Sequence, residues 1–193
     1  MDLLFASSNI NKVKEIRELM PKGYNLLSLA DLNYTDELEE NTETLEGNAL
    51  QKARFVYQKF GLNCFADDSG LEVEALDGKP GVHSAYFAGL PRNDQGNIQM
   101  LLAMLGKEFN RKARFRTIIA LIMEGREVIF EGDLKGSIAI RPVGENGFGY
   151  DPVFIPQNME LTLAQLSREG KNQISHRARA VQQLIAYISR HKT

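Results

Sequence analysis

The chain has 193 residues, with 23 Lys plus Arg against 25 Asp plus Glu, for a formal net charge of −2. Apolar residues make up 43% and charged residues 25%, the proportions of a globular chain that buries its own core, which excludes a disordered, collagenous or membrane-spanning protein. One cysteine (Cys64) and three histidines exclude an internal disulfide and a Cys-based zinc site, and the near-neutral charge excludes a protein whose main task is to coat nucleic acid, so any positive field is local.

Met1 to Ala6 is too short an apolar run for a signal peptide and has no basic flank, so the expected compartment is the cytoplasm. Leu3 to Ala6 reads as a short buried strand, followed by the polar turn Ser7-Ser8-Asn9. Val13, Ile16, Leu19 and Met20 recur at helical spacing, with Pro21 and Gly23 as the stop. Leu26 to Leu29 is a second apolar run, and the acidic stretch from Asp31 to Glu43 reads as a loop. Leu45, Ala49, Ala53, Val56 and Phe60 mark a second helix closed by Gly61. Asn63 to Ala66 reads as a strand that runs straight into Asp67-Asp68-Ser69-Gly70, for which a turn is the plainer reading, and the alternation in Leu71 to Ala75 predicts a half-buried strand. A third helix carries Ile98, Leu101, Leu102 and Leu105, capped at Asn93 or Asp94 and ended by Gly106. Phe115 to Met123 and Val128 to Phe130, joined through Glu124-Gly125, predict a β-hairpin, and Ser137 to Ile140 a further strand. Ala178, Val181, Ile185 and Ile188 form a closing helix with Ser175 as N-cap. The expectation is one α/β domain over residues 1–193, built on a mixed sheet flanked by helices.

Three groups of residues break local rules in ways that point to chemistry. Lys12 stands in the first turn of the first helix, where a cation opposes the helix dipole and an anionic ligand would resolve the conflict. His176 and Arg177 repeat that conflict at the start of the last helix, with Lys171 just upstream. Asp67 and Asp68, adjacent in an extended segment, point to opposite faces, so one can meet a ligand while the other braces its surroundings. A magnesium site needs one or two carboxylates plus phosphate oxygens and water, and a glutamate from the acidic loop (Glu37, Glu39 or Glu40) plus one aspartate would supply it. Asn48 and Lys52 share a helix face, and Phe148 among glycines offers a stacking ring for a base, beside an Asp151 able to accept from a base or sugar. Each has a plainer reading as a cap, a solvated charge or a core ring. The Gly144 to Asp151 segment matches neither a Rossmann nor a Walker A pattern.

In this order, Ser7-Ser8-Asn9-x-x-Lys12, Gly47-Asn48-Ala49-x-x-Lys52-Ala53, Ala66-Asp67-Asp68-Ser69-Gly70-Leu71, Pro80-Gly81-Val82-x-Ser84-Ala85, Phe148-Gly149-Tyr150-Asp151-Pro152 and Ser175-His176-Arg177 resemble the inosine triphosphate pyrophosphatase family over nearly the whole chain. The resemblance implies an elongated α/β fold of two lobes around a substrate cleft, a homodimer, magnesium as cofactor, and a nucleoside triphosphate as small-molecule partner, with no nucleic acid or membrane. The implied reaction hydrolyses XTP, ITP and dITP to the monophosphate and pyrophosphate, cleansing the nucleotide pool. By similarity, Ser7, Ser8, Asn9 and Lys12 hold the triphosphate, and Lys52 and Lys171 add charge. Asp68 is the implied general base and, with Glu39, the magnesium site. Ser69 contacts substrate, Phe148 stacks on the base with Gly149, Tyr150 and Asp151 beside it, and His176 and Arg177 read the purine edge. Ser7-Ser8 departs from the family's usual Thr-Gly, and Tyr86-Phe87 from its usual Arg-Tyr. Two rival readings remain at this point: a pyrophosphatase for modified pyrimidine nucleotides, and a nucleotide- or RNA-binding module without catalysis.

Overall fold

The computed structural model describes residues 2–191. Three of the long helices begin where a polar side chain takes over backbone donors that have no partner inside the helix. Helix α1 (Ile10–Leu19) starts at Asn9, whose side-chain oxygen accepts from the N–H groups of Asn11 and Lys12. Helix α2 (Leu45–Phe60) is capped by Thr44 through Gly47 N–H and closes on Gly61, whose φ of +65° is the left-handed conformation that glycine adopts without strain. Helix α3 (Asp94–Leu105) is capped by Asn93. All three fall where the sequence expects them.

The strands are β1 (Asp2–Phe5), β2 (Asn25–Ser28), β3 (Cys64–Val73), β4 (Pro80–Gly81), β5 (Lys112–Met123), β6 (Arg126–Ile138) and β7 (Phe154–Pro156). They form one sheet in the order β2-β1-β3-β5-β6-β7, with β4 paired to β3. The pairs β1–β2 and β1–β3 are parallel, whereas β3–β4 and β6–β7 are antiparallel, so the fold is α/β with a mixed sheet, as the sequence predicts. Glu124 and Gly125, between β5 and β6, both have positive φ (52° and 77°), the backbone of a tight hairpin turn that matches strand twist.

The chain divides into two compact units. The first comprises the residues up to Asp68, Thr117–Gly132 and the residues from Arg177 onward. Its core gathers Leu3, Phe5, Ile16, Phe65, Ile119, Leu121 and, from helix α5 (His176–Arg190), Val181, Leu184 and Ile188. The Phe5 and Phe65 rings stack with centroids 4.8 Å apart. The second unit comprises Ser69–Arg116 and Asp133–His176. Its core gathers Leu71, Val73, Leu101, Phe115, Leu134, Phe154 and Leu163. It also contains helix α4 (Arg168–Ile174).

Three local expectations are corrected. The two strands expected on either side of Asp67-Asp68-Ser69-Gly70 are one strand, β3, whose backbone stays extended through those four residues. Polar residues and glycine signal a turn when their groups face water, but here both aspartates are buried and are met by side chains from elsewhere in the chain. The strands expected at Val128 to Phe130 and from Ser137 are likewise one long strand, β6, which ends at Ile138. Helix α4 has no counterpart in the sequence reading, because its seven residues are too few and too polar to show an apolar period.

A Cβ at Gly136 would overlap the carbonyl oxygen of Ile155 across the β6–β7 pairing and the ring of Phe154. Gly136→Ala is expected to destabilise the protein by about 1–3 kcal/mol, the usual scale of overpacking, seen as a lower denaturation midpoint with an unchanged m-value.

Candidate functional site

In the first unit, four elements deliver charge to one place. Asp67 on β3 is fully buried, and its carboxylate meets Lys12 Nζ from α1 at 3.0 Å and Arg177 Nε from α5 at 3.5 Å. Arg177 is also paired with the buried Glu15, one turn after Lys12. On α2, Lys52 Nζ donates to the backbone carbonyl of Asp67 at 2.6 Å and pairs with Glu40. Asp68 points the other way, as strand alternation requires, and its Oδ2 accepts from Asn48 Nδ2 at 3.0 Å. Asn48 Oδ1 in turn accepts from the backbone N–H and the hydroxyl of Thr42, which ties the acidic loop to α2. Beside Lys52, a cavity of about 250 Å³ is lined by Tyr34, Glu37, Leu38, Glu39, Gln51 and Phe55.

The structure places the cations at the helix starts, against the helix dipole. Neither α1 nor α5 has an acidic residue in its first turn, and each places a cation there instead. The turn before α1 is partly committed to its own shape: Ser7 Oγ accepts from Asn9 N–H, and the Asn9 side chain caps the helix. Ser8 is exposed between them.

Burial alone would raise the pKa of the Asp67 carboxyl, but Lys12, Arg177 and Lys52 hold it far below the usual carboxylate range. Asp68 moves the opposite way, upward, because burial and the neighbouring Glu40 outweigh Lys52, Lys12 and Asn48. Burial lowers the pKa of Lys12, and Lys52 and Arg177 add to that effect against the pull of Asp67. Burial also works against the charge of Lys52, yet Glu40, Asp68 and Asp67 together raise its pKa. Two adjacent carboxylates thus differ in environment: Asp67 is a locked anion, and Asp68 is a carboxylate whose charge is resisted by its surroundings.

The second unit holds the remaining predicted residues. Asp151 is buried, and its Oδ2 accepts from Phe148 N–H at 2.8 Å and from Lys171 Nζ at 2.6 Å. Lys171 Nζ stands 4.7 Å from the centre of the Phe148 ring. A Cβ at Gly147 would overlap the Asp151 carboxylate, and its φ of +77° is left-handed, so glycine is required there on both counts. The buried hydroxyl of Tyr150 donates to Ser84 O at 2.9 Å. The His176 ring lies flat on Phe115, with centroids 4.6 Å apart and planes 9° from parallel. Gly149 N–H donates to Asp94, and Ser69 is half-buried on β3. Asp151, which the sequence offers as an acceptor for a ligand, is engaged with its own loop and Lys171, and Tyr150 is anchored to Ser84.

Sequence reasoning gave no site role to two residues, Glu15 and Asp94, and left open which loop glutamate meets the aspartates. Glu15 leaves no signal except its place three residues after Lys12 on one helix face. Asp94 is visible only as a helix-start acid. Of the two adjacent loop glutamates, Glu40 is the one held at Lys52 and close enough to Asp68 to act on it, whereas Glu39 accepts from Asn41 Nδ2 at 3.0 Å. Among the described residues no group of three or more His, Cys, Asp or Glu converges as a metal cage. Asp68 and Glu40 do meet the requirement of a hydrated hard cation, which takes one or two carboxylates and fills its other positions with water and phosphate oxygens.

A family model described as the Ham1 family matches residues 3–187. The chain is 49% identical to a dITP/XTP pyrophosphatase of Flavobacterium johnsoniae, over 98% of each chain, and 50% identical to one of Porphyromonas gingivalis, over 96% of each. Its fold superposes on the Ham1 protein of Staphylococcus aureus with a TM-score of 0.90 and 38% identity, covering 100% of both chains.

Asp67→Asn takes from the largely buried Lys12 its counter-charge and leaves the buried Arg177 with Glu15 alone, and is expected to cost about 3–5 kcal/mol in chemical denaturation at neutral pH. Because the folded-state pKa of Asp67 is depressed, its contribution to stability is present at neutral pH and is lost as the pH falls below about 4. The variant's stability should therefore fall less steeply on acidification than that of the wild type.

Proposed function

The chain belongs to the Ham1 family, and on that premise we propose that it is a dITP/XTP pyrophosphatase, a hydrolase of phosphoric anhydrides that removes XTP, ITP and dITP from the nucleotide pool by releasing the monophosphate and pyrophosphate. The observation that carries this reading is the meeting of Lys12, Lys52 and Arg177 around the Asp67-Asp68 pair. Cations so placed favour a polyanion, and in phosphoryl transfer positioning and charge neutralisation supply most of the rate.

Release of pyrophosphate requires attack by water at the α-phosphorus. Lys12 and Lys52 bind the phosphate tail and offset the negative charge that builds on the leaving pyrophosphate. Asp67 keeps Lys12 in place and, being a locked anion, takes no proton itself. Asp68, with one oxygen held by Asn48, orients the attacking water and accepts its proton. Magnesium, when bound by Asp68 and Glu40, supplies further charge neutralisation and makes water easier to deprotonate. The sequence expectation of Glu39 in that role moves to its neighbour on the strength of the Glu40–Lys52 pair and the influence of Glu40 on Asp68. Phe148 supplies the stacking face for the base, with Lys171 at its ring. His176 and Arg177 supply donors to the 6-oxo edge that inosine and xanthine present and adenine lacks. The resemblance also implies a cytoplasmic homodimer, which we include in the proposal and which sedimentation of the purified protein tests.

The deciding experiment is pyrophosphate release from XTP, ITP, dITP, dUTP, dTTP and ATP, with and without magnesium. Magnesium-dependent release that favours the first three is expected. Binding without release, or a preference for dUTP or dTTP, would overturn the reading. Asp68→Asn should lower turnover by about 10²–10⁴-fold, the scale of a lost general base, while substrate still binds. Glu40→Gln should raise the magnesium concentration needed for half-maximal rate, and Glu39→Gln should leave it within twofold of wild type. The reverse order would return the metal site to Glu39.

A further inference from the structure

The ring of Phe148 projects from a loop whose backbone is gripped on both sides. The peptide before it donates to Asp151 Oδ2 at 2.8 Å, and the peptide after it, through Gly149 N–H, donates to Asp94 Oδ2 at 2.8 Å. These anchors differ in kind. Asp151 belongs to the loop itself and is buried with Lys171. Asp94 lies far away in sequence, at the first position of α3, where Asn93 is the cap. Its other oxygen accepts from Arg92 Nε at 3.1 Å, so both carboxylate oxygens are engaged and the side chain has a defined orientation.

A first-turn carboxylate needs no partner to be favourable, because the helix dipole suffices. A bond from that carboxylate to a loop 55 residues away is a separate structural commitment. Gly149 has a φ of +61°, a conformation that a free loop would exchange readily for others. Pinning its N–H selects one of them and thereby sets the direction in which the preceding Phe148 side chain leaves the backbone. Charge-assisted bonds to backbone N–H groups are also among the stronger hydrogen bonds.

We propose that Asp94 is a positioning residue for base recognition: by accepting from Gly149 N–H it holds the Phe148 ring in its stacking orientation. The proposal rests on the reading of Phe148 as the stacking face. Asp94 acts through the loop and touches neither the phosphates nor the reacting water, so its loss weakens binding of the base and spares the chemical step.

The test measures KM and kcat for ITP, together with the inhibition constant of inorganic tripolyphosphate, a probe that carries phosphates and no base. In Asp94→Ala, KM for ITP should rise about tenfold, with kcat and the tripolyphosphate constant within twofold of wild type. Asp94→Asn keeps an oxygen acceptor while losing the charge, and should restore KM to within about threefold of wild type. Asp94→Ser, a residue at home in a first helical turn and too short to reach Gly149, serves if the alanine variant does not fold, and should match the alanine expectation. An unchanged KM in folded Ala or Ser variants overturns the proposal. So does an equal loss of ITP and tripolyphosphate binding, or an asparagine variant as impaired as alanine, since those patterns belong to a helix-start charge. Phe148→Ala, run alongside, separates the two levels. If it raises KM for ITP and Asp94→Ala does not, the positioning role alone fails; if Phe148→Ala leaves KM unchanged, the stacking role fails first.

Discussion

A carboxylate removed from water has to be met by cations or give up its charge, and Asp67 is such a carboxylate. It sits inside β3 with no exposure, and its charge is kept by Lys12, Arg177 and Lys52, which come from three different helices. The strand, the turn before α1, the middle of α2 and the start of α5 thus answer to one buried charge. Desolvating so many ions is unfavourable taken ion by ion, and the arrangement holds because almost every charge has a partner of opposite sign within reach. Glu15 completes it by engaging Arg177 from the α1 side.

That constraint has a functional consequence. Cations drawn in by Asp67 are already in place, with little orientation left to settle, when an anionic ligand arrives. Two of them stand at helix starts, where the dipole disfavours cations and favours anions, so on the proposed function a bound phosphate would relieve an existing conflict. Asp68 shares the strand but not the role. Strand alternation turns it away from Lys12 toward Asn48, and its neighbour Glu40 makes it a carboxylate held against its preference. Adjacent residues of one chemical type thus have opposite surroundings, and the proposed function divides them between scaffold and chemistry.

The second unit repeats the logic on a smaller scale. Asp151 and Asp94 are spent on backbone N–H groups either side of Phe148, and Gly147 leaves the space that the Asp151 carboxylate occupies. Acidic residues near an expected base site are thus employed in shaping the loop.

Much of this was legible in the amino-acid sequence because it depends on local physics. Apolar spacing and caps placed α1, α2 and α3, alternation showed that Asp67 and Asp68 part company, and cations at helix starts marked Lys12, His176 and Arg177. The motif order pointed to the family over nearly the whole chain. Tertiary structure alone decided that β3 runs unbroken through four turn-forming residues, since a strand tolerates them only where distant side chains satisfy their polar groups. It alone separated Glu40 from Glu39, because loop register has no periodicity to read, and it alone revealed Glu15 and Asp94. Their partners lie 162 and 55 residues away, and nothing in a local window encodes which distant group a buried charge will meet.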